Sequence, residues 1–104
     1  PAFYPPSAMK GGHVYIMANR YRGTIYIGVT AHLAARIFQH RTGDGSDFCK
    51  RYGLERLVYA EPHAEIRDAI AREKAMKKWN REWKFRLIED QNPDWLDLFD
   101  TLNA

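Results

Sequence analysis

The sequence predicts a small α+β domain: a three-stranded, mainly antiparallel sheet flanked by helices. Three observations predict it. Two short alternating stretches, 14–17 and 25–29, are rich in β-branched and aromatic residues, and a polar loop ending in Gly23 joins them. A third such stretch covers 56–61. Apolar residues recur at helical spacing over 31–41 and 63–90. A chain of 104 residues, 45% of them hydrophobic, supports one domain with a modest core.

A hairpin register centred on the loop 18–23 sets Tyr15 opposite Tyr26, so both phenols share one face and Val14, Ile16, Ile25 and Ile27 share the other. Gly28 falls on the tyrosine face, where a missing side chain permits close approach. Thr30 is the expected N-cap of the helix 31–41, with Leu33 and Ile37 as its buried stripe, Ala34 and Phe38 beside them, and Gly43 as a left-handed cap. Ser46 opens a short helix over 47–52 and Gly53 closes it. That helix interleaves Phe48, Lys50, Arg51 and Tyr52, a pattern that suits phosphate and sugar contacts or simply pins the loop to the core. Pro62 should stop the third strand. The segment 63–90 divides near 79–81, because its apolar stripe changes face, and Asn92-Pro93 ends it. Trp95, Leu96, Leu98 and Phe99 form a last turn against the core. Residues 1–12, with three prolines, read as a flexible lead-in, 13–99 as the domain and 100–104 as a tail.

Cys49 is the sole cysteine, which excludes an intrachain disulfide and a cysteine-based zinc site and suits a reducing, cytoplasmic setting. No run of about 18 apolar residues is present, so no membrane span is expected, and the N-terminus lacks the pattern of a signal peptide. Net charge is only +3, but it is polarised. Residues 72–86 hold Arg72, Lys74, Lys77, Lys78, Arg81, Lys84 and Arg86 against Glu73 and Glu82, whereas 89–100 holds five acids and no base. A basic face of this kind docks on a polyanion, or is a solvated helix face. The candidate nucleic-acid contacts are Lys50, Arg51, Lys74, Lys77, Lys78 and Arg81.

Leu33, Arg36 and His40 lie on one side of the helix that follows the hairpin. Two phenols, a guanidinium and an imidazole can therefore converge on one concavity. Glu73 extends the stripe Ile66, Ile70, Glu73, Lys77, and a carboxylate on a buried face is costly unless it is matched. It is either half of an ion pair, with Arg36 or a neighbouring lysine, or a metal ligand. His13, His32 and His63 read as surface residues, and Trp79, Trp83 and Trp95 as core or clamp residues.

The strand motifs Val14-Tyr15-Ile16 and Tyr26-Ile27-Gly28, followed by Arg36 and His40 and by the tail Asn92 to Leu98, resemble the GIY-YIG nuclease family, most of all its small single-domain bacterial members. The resemblance covers roughly residues 13–98. It implies the same fold and the metal-dependent hydrolysis of DNA phosphodiester bonds. It implies Tyr15 as general base, Tyr26 as the positioning phenol, Arg36 as the transition-state clamp, His40 as proton relay or phosphate contact, and Glu73 as the ligand of Mg²⁺ or Mn²⁺. Two departures stand out: His13 replaces the glycine that opens the first motif, and Val29 stands where some members carry a lysine. One such site cuts one strand, so a double-strand cut needs a homodimer or sequential events, and the domain either recognises a DNA structure, acts non-specifically, or takes its specificity from a protein partner. The rival reading is a nucleic-acid-binding module that keeps the fold without turnover.

Overall fold

The computed structural model describes residues 11–103, so most of the expected lead-in lies outside the described residues. The strands β1 (Gly12–Ala18), β2 (Ile25–Thr30) and β3 (Arg56–His63) form one antiparallel sheet in the order β2-β1-β3. The α-helices are α1 (Leu33–Thr42), α2 (Asp47–Tyr52), α3 (Ile66–Lys77) and α4 (Arg81–Gln91), and a 3-10 turn spans Phe99–Asn103. This is the α+β architecture that the alternation and helical periodicity imply.

The hairpin register differs from the symmetric one. Tyr15 pairs with Gly28, and Met17 with Tyr26. The loop is longer than a tight turn: Asn19 closes it, its N–H donating to Thr24 O (3.3 Å) and its Oδ1 accepting from Thr24 N–H (2.9 Å). The displacement is an even number of residues, so every side chain keeps its face. β3 runs through Pro62 to His63, because it is an edge strand and needs no outward N–H. Its register shifts between Ile16 and Met17 of β1, which leaves Val58 as a bulge.

The sheet separates two cores. Val14, Ile16, Ile27 and Val58 pack with Ala69 and Met76 of α3, Phe85 and Ile88 of α4, and Trp95. Tyr15, Met17 and Leu57 pack with Leu33 and Ile37 of α1, Cys49 of α2, and Leu54. Three helix phases depart from expectation. α1 starts at Leu33 with the cap position at His32, while Thr30 Oγ1 accepts from the His32 N–H instead (3.0 Å). It buries Leu33, Ile37 and His40, and Phe38 is exposed. α3 buries Ala69 and Met76, which turns Ile70 outward. Trp83 and Leu96 are exposed rather than core. The short-range signals hold: Ser46 Oγ caps α2 at the Phe48 N–H (3.1 Å), and Gly43 (φ 88°) and Gly53 (φ 67°) take left-handed caps. Asn80 Oδ1 caps α4 at the Trp83 N–H (2.8 Å), so the expected break falls between Lys77 and Arg81. Among the described residues no helix is long and apolar enough to cross a membrane.

The C-terminal segment closes the first core. Asn92 Nδ2 donates to Val58 O (3.0 Å) and Leu96 O (2.9 Å), which fixes the chain after α4. Trp95 is fully buried, edge-on to Phe85 at 4.8 Å, and its Nε1–H donates to Glu89 Oε2 (2.7 Å). Glu89 also holds Arg22 of the hairpin loop at 2.6 Å. Trp95→Ala should therefore lower the unfolding free energy by about 3–5 kcal/mol. Urea denaturation followed by circular dichroism checks this, and a loss under about 1 kcal/mol would contradict the packing role.

Candidate active site

The sheet face that carries Tyr15, Tyr26 and Gly28 lies beneath α1. Tyr15 is 1% exposed, and its ring lies across Gly28: a Cβ there would stand 2.5 Å from the phenol Cζ and Oη. His40, in the last turn of α1, is 3% exposed, and its Nε2 is 2.8 Å from Tyr15 Oη. The rings of Tyr15 and Tyr26 each lie 5.6 Å from that of His40 and 6.4 Å from each other. Gly45, after the α1 cap, leaves room for the imidazole, since a Cβ would come within 2.6 Å of Nδ1. Among the described residues nothing hydrogen-bonds His40 Nδ1.

Arg36 is half-buried one turn before His40 and donates to Gln39 Oε1 (3.0 Å). Its guanidinium is held above its ordinary value by interaction with the Tyr15 phenol first and with Tyr26 as well. The guanidinium is thus electrostatically coupled to both phenols. Burial pushes the Tyr15 phenol up to about 12, against the pull of Arg36. Burial, then the Arg36 charge, lowers the His40 imidazole to about 4. Cys49 lies under the site with its thiol raised to about 11 by burial, which makes it a packing residue.

Glu73 belongs to α3, on the other face of the sheet. It is not an unmatched carboxylate on an apolar stripe: Lys77 Nζ stands 3.1 Å from its Oε2. The shift in α3 phase explains the difference, because Ala69 and Met76 take the buried positions. The Glu73 side chain is 12% exposed and that of Lys77 51%. Lys77 also reaches the rim of a cavity of about 330 Å³ at the outer edge of β2, lined by Ile25, Tyr26, Ile27, Phe48, Lys77 and Lys84. This cavity joins Tyr26, from one face of the sheet, to α3 and α4 on the other. Phe48 stacks on Tyr26 (6.1 Å, 29° between planes), and Tyr52 lies 4.8 Å from Phe48.

The remaining basic candidates sort by what they touch. Lys50 and Arg51 are exposed on α2, with Arg51 5.9 Å over Tyr52. Lys74 and Lys78 are exposed. Arg81 is tied to the hairpin, donating to Gly23 O (2.9 Å) and Arg22 O (3.3 Å). Arg72 is bound by Glu61 (3.0 Å), which also accepts from Tyr59 (2.6 Å) and lies 2.7 Å from His63 Nε2. Burial works against the Glu61 charge, yet these hydrogen bonds hold its carboxyl below the ordinary value. His63 is therefore a network member, not a plain surface residue. Lys84 and Gly45 are site neighbours that sequence reasoning missed. Lys84 lies beyond the α3–α4 break, where helical phase no longer carries over, and Gly45 read only as part of a turn.

Comparison with known proteins assigns the family. Residues 11–86 match the GIY-YIG catalytic domain. The chain belongs to the GIY-YIG family. A UPF0213 protein of Staphylococcus haemolyticus is 32% identical over 83 residues, 80% of this chain and 100% of the relative. UPF0213 proteins of Staphylococcus aureus and Staphylococcus epidermidis are 32% identical over 69 residues (66% of this chain, 84% of the relative) and 29% over 68 (65% and 83%). No solved structure matches. GIY-YIG domains are nuclease domains and generally use divalent metals. Among the described residues no three His, Cys, Asp or Glu side chains gather as a metal cage. The single carboxylate of Glu73, paired with Lys77, suits a hard dication that keeps most of its waters better than it suits zinc.

The buried imidazole makes acid stability testable. Its folded value lies below the unfolded 6.5, so between about pH 6.5 and 4 the unfolded chain binds a proton that the folded chain refuses. Stability should fall as pH drops through that window, by up to about 3 kcal/mol from this group, and be insensitive to it above the window. Urea midpoints measured across pH for the wild type and His40→Gln check this. The variant should lack that part of the slope, and parallel curves would contradict a neutral buried His40.

Proposed function

We propose that this chain is a divalent-metal-dependent endonuclease that hydrolyses DNA phosphodiester bonds, with Tyr15, Tyr26, Arg36 and His40 as its catalytic residues and Glu73 as its metal ligand for Mg²⁺ or Mn²⁺. The observation that carries the reading is the 2.8 Å contact between a buried phenol and a buried imidazole, beside a guanidinium and a second phenol. Packing alone does not call for four polar groups in one place.

The residues divide the work. Tyr15 Oη takes a proton from the attacking water as its own proton passes to His40 Nε2, so the phenol never has to persist as a free phenolate against its raised value. Arg36 holds the phosphate oxygens, and its fork matches the charge that grows as phosphorus gains a fifth oxygen. Tyr26 orients water or phosphate. The leaving oxygen takes its proton from solvent, since Val29 offers none. Glu73 would hold the dication, whose chemistry would be to add positive charge to the transition state. Lys50, Arg51, Lys74, Lys77 and Lys78 contact the backbone of the polymer without reading bases.

The test is cleavage of plasmid, single-stranded, flapped and branched DNA, and RNA, with Mg²⁺ or Mn²⁺ and with chelator. Metal-dependent cutting of DNA is expected; binding without cutting would favour the non-catalytic module. Tyr15→Phe should abolish cleavage while leaving DNA affinity unchanged, and Tyr26→Phe should slow it by about one to two orders of magnitude. A Tyr15→Phe protein that cuts normally would remove the assigned base.

Glu73→Gln should abolish metal-dependent cleavage. The lost pair with Lys77 is partly exposed, so the chelated variant should melt within about 0.5 kcal/mol of the wild type. Mn²⁺ should raise the melting midpoint of the wild type and not of the variant. An equal Mn²⁺ shift in both proteins would overturn Glu73 as the ligand.

A further inference from the structure

The cavity at the outer edge of β2 offers about 330 Å³. Its walls are of two kinds. Ile25, Ile27, Tyr26 and Phe48 give it an apolar, aromatic side, and Lys77 and Lys84 complete the lining, the Lys84 ammonium donating to Lys77 O at 3.5 Å. Phe48 is 41% exposed, yet it is held in an aromatic row by Tyr26 and Tyr52 rather than folded into the core. An exposed aromatic ring and two lysines lining one cavity match a ligand with a flat apolar body and an anionic group. That is the chemistry of a nucleotide. Lys77 retains donors for such an anion while it holds Glu73, because an ammonium carries three and half of the side chain is exposed.

The geometry also limits which nucleotide can enter. In a duplex each base is stacked above and below and paired along its edge, so its face is not available to a side wall. A base that packs against Phe48 must first leave the stack. We propose that the β2-edge cavity is a subsite for one unpaired nucleotide of the substrate strand, its base against Phe48 and its phosphate on Lys77 and Lys84, so that DNA with a single-stranded or branched segment is the substrate class. This rests on the nuclease reading only for the choice of polymer. Tyr26 lines both the cavity and the catalytic cluster, so the nucleotide held there adjoins the bond to be cut.

The experiment measures binding, not turnover. Wild-type protein in chelator is titrated with a labelled oligothymidylate and with a duplex of the same length, by fluorescence anisotropy. The single strand should bind more tightly. Phe48→Ala should weaken single-strand binding roughly ten-fold or more and leave the duplex nearly unchanged, and Phe48→Trp should restore it. The double variant Lys77→Ala/Lys84→Ala should flatten the single-strand log–log salt slope by about 1.4. Equal affinity of Phe48→Ala and wild type for the single strand, an equal loss on both DNAs, or a wild-type preference for duplex would overturn the subsite. Failure of the wild type to cut any DNA in Mg²⁺ would instead remove the nuclease reading, and the Phe48-dependent binding would stand.

Discussion

β1 has no solvent-facing side. It runs between two antiparallel partners and has a core against each face, so Val14 to Ala18 are all essentially buried. A phenol at Tyr15 must then find its polar partner inside the protein. His40 supplies it, and much of the second layer follows from that contact. α1 must present His40 inward, which turns Phe38 outward and sets the helix phase. Gly28 must stay bare to admit the ring, and Gly45 must stay bare to admit the imidazole. Arg36, one turn earlier on the same helix face, is carried to the phenols by the same constraint.

The electrostatics follow from burial. Desolvation disfavours charge on both members of the pair, raising the phenol and lowering the imidazole, so the resting proton lies on Tyr15. Arg36 pulls the phenol down and pushes the imidazole down, since it favours a neighbouring anion and disfavours a neighbouring cation. An anion answering the guanidinium charge would weaken both effects at once, letting the imidazole and the phenol rise together.

Much of this was legible in the sequence because it depends on short-range rules. The face shared by Tyr15 and Tyr26 follows from strand periodicity, and it survives a register error because the actual pairing differs by an even number of residues. Ser46, Gly43, Gly53 and Asn92-Pro93 mark helix ends through local hydrogen bonding and backbone preference. What could not be read was set by partners far along the chain. Phe38 and Ile70 look as apolar as their buried neighbours, and only the docking of each helix decides which are covered. The basic run from Arg72 to Arg86 is a row of charges in sequence, but in the fold Arg72 is bound by Glu61, Arg81 by the hairpin carbonyls, and Lys77 by Glu73. Glu61 drew no notice because nothing local distinguishes it from any strand glutamate.

The position of β2 has one more consequence. β2 is an outer strand, and among the described residues no further strand pairs with it. The side chains that converge on Tyr26 come around this edge from both layers, so the concavity opens at the rim of the sheet rather than in a tunnel between layers. A long polymer can lie against a rim from the side. It need not be threaded, and it needs no free end. The topology of the fold thus admits a closed circle as readily as a linear fragment.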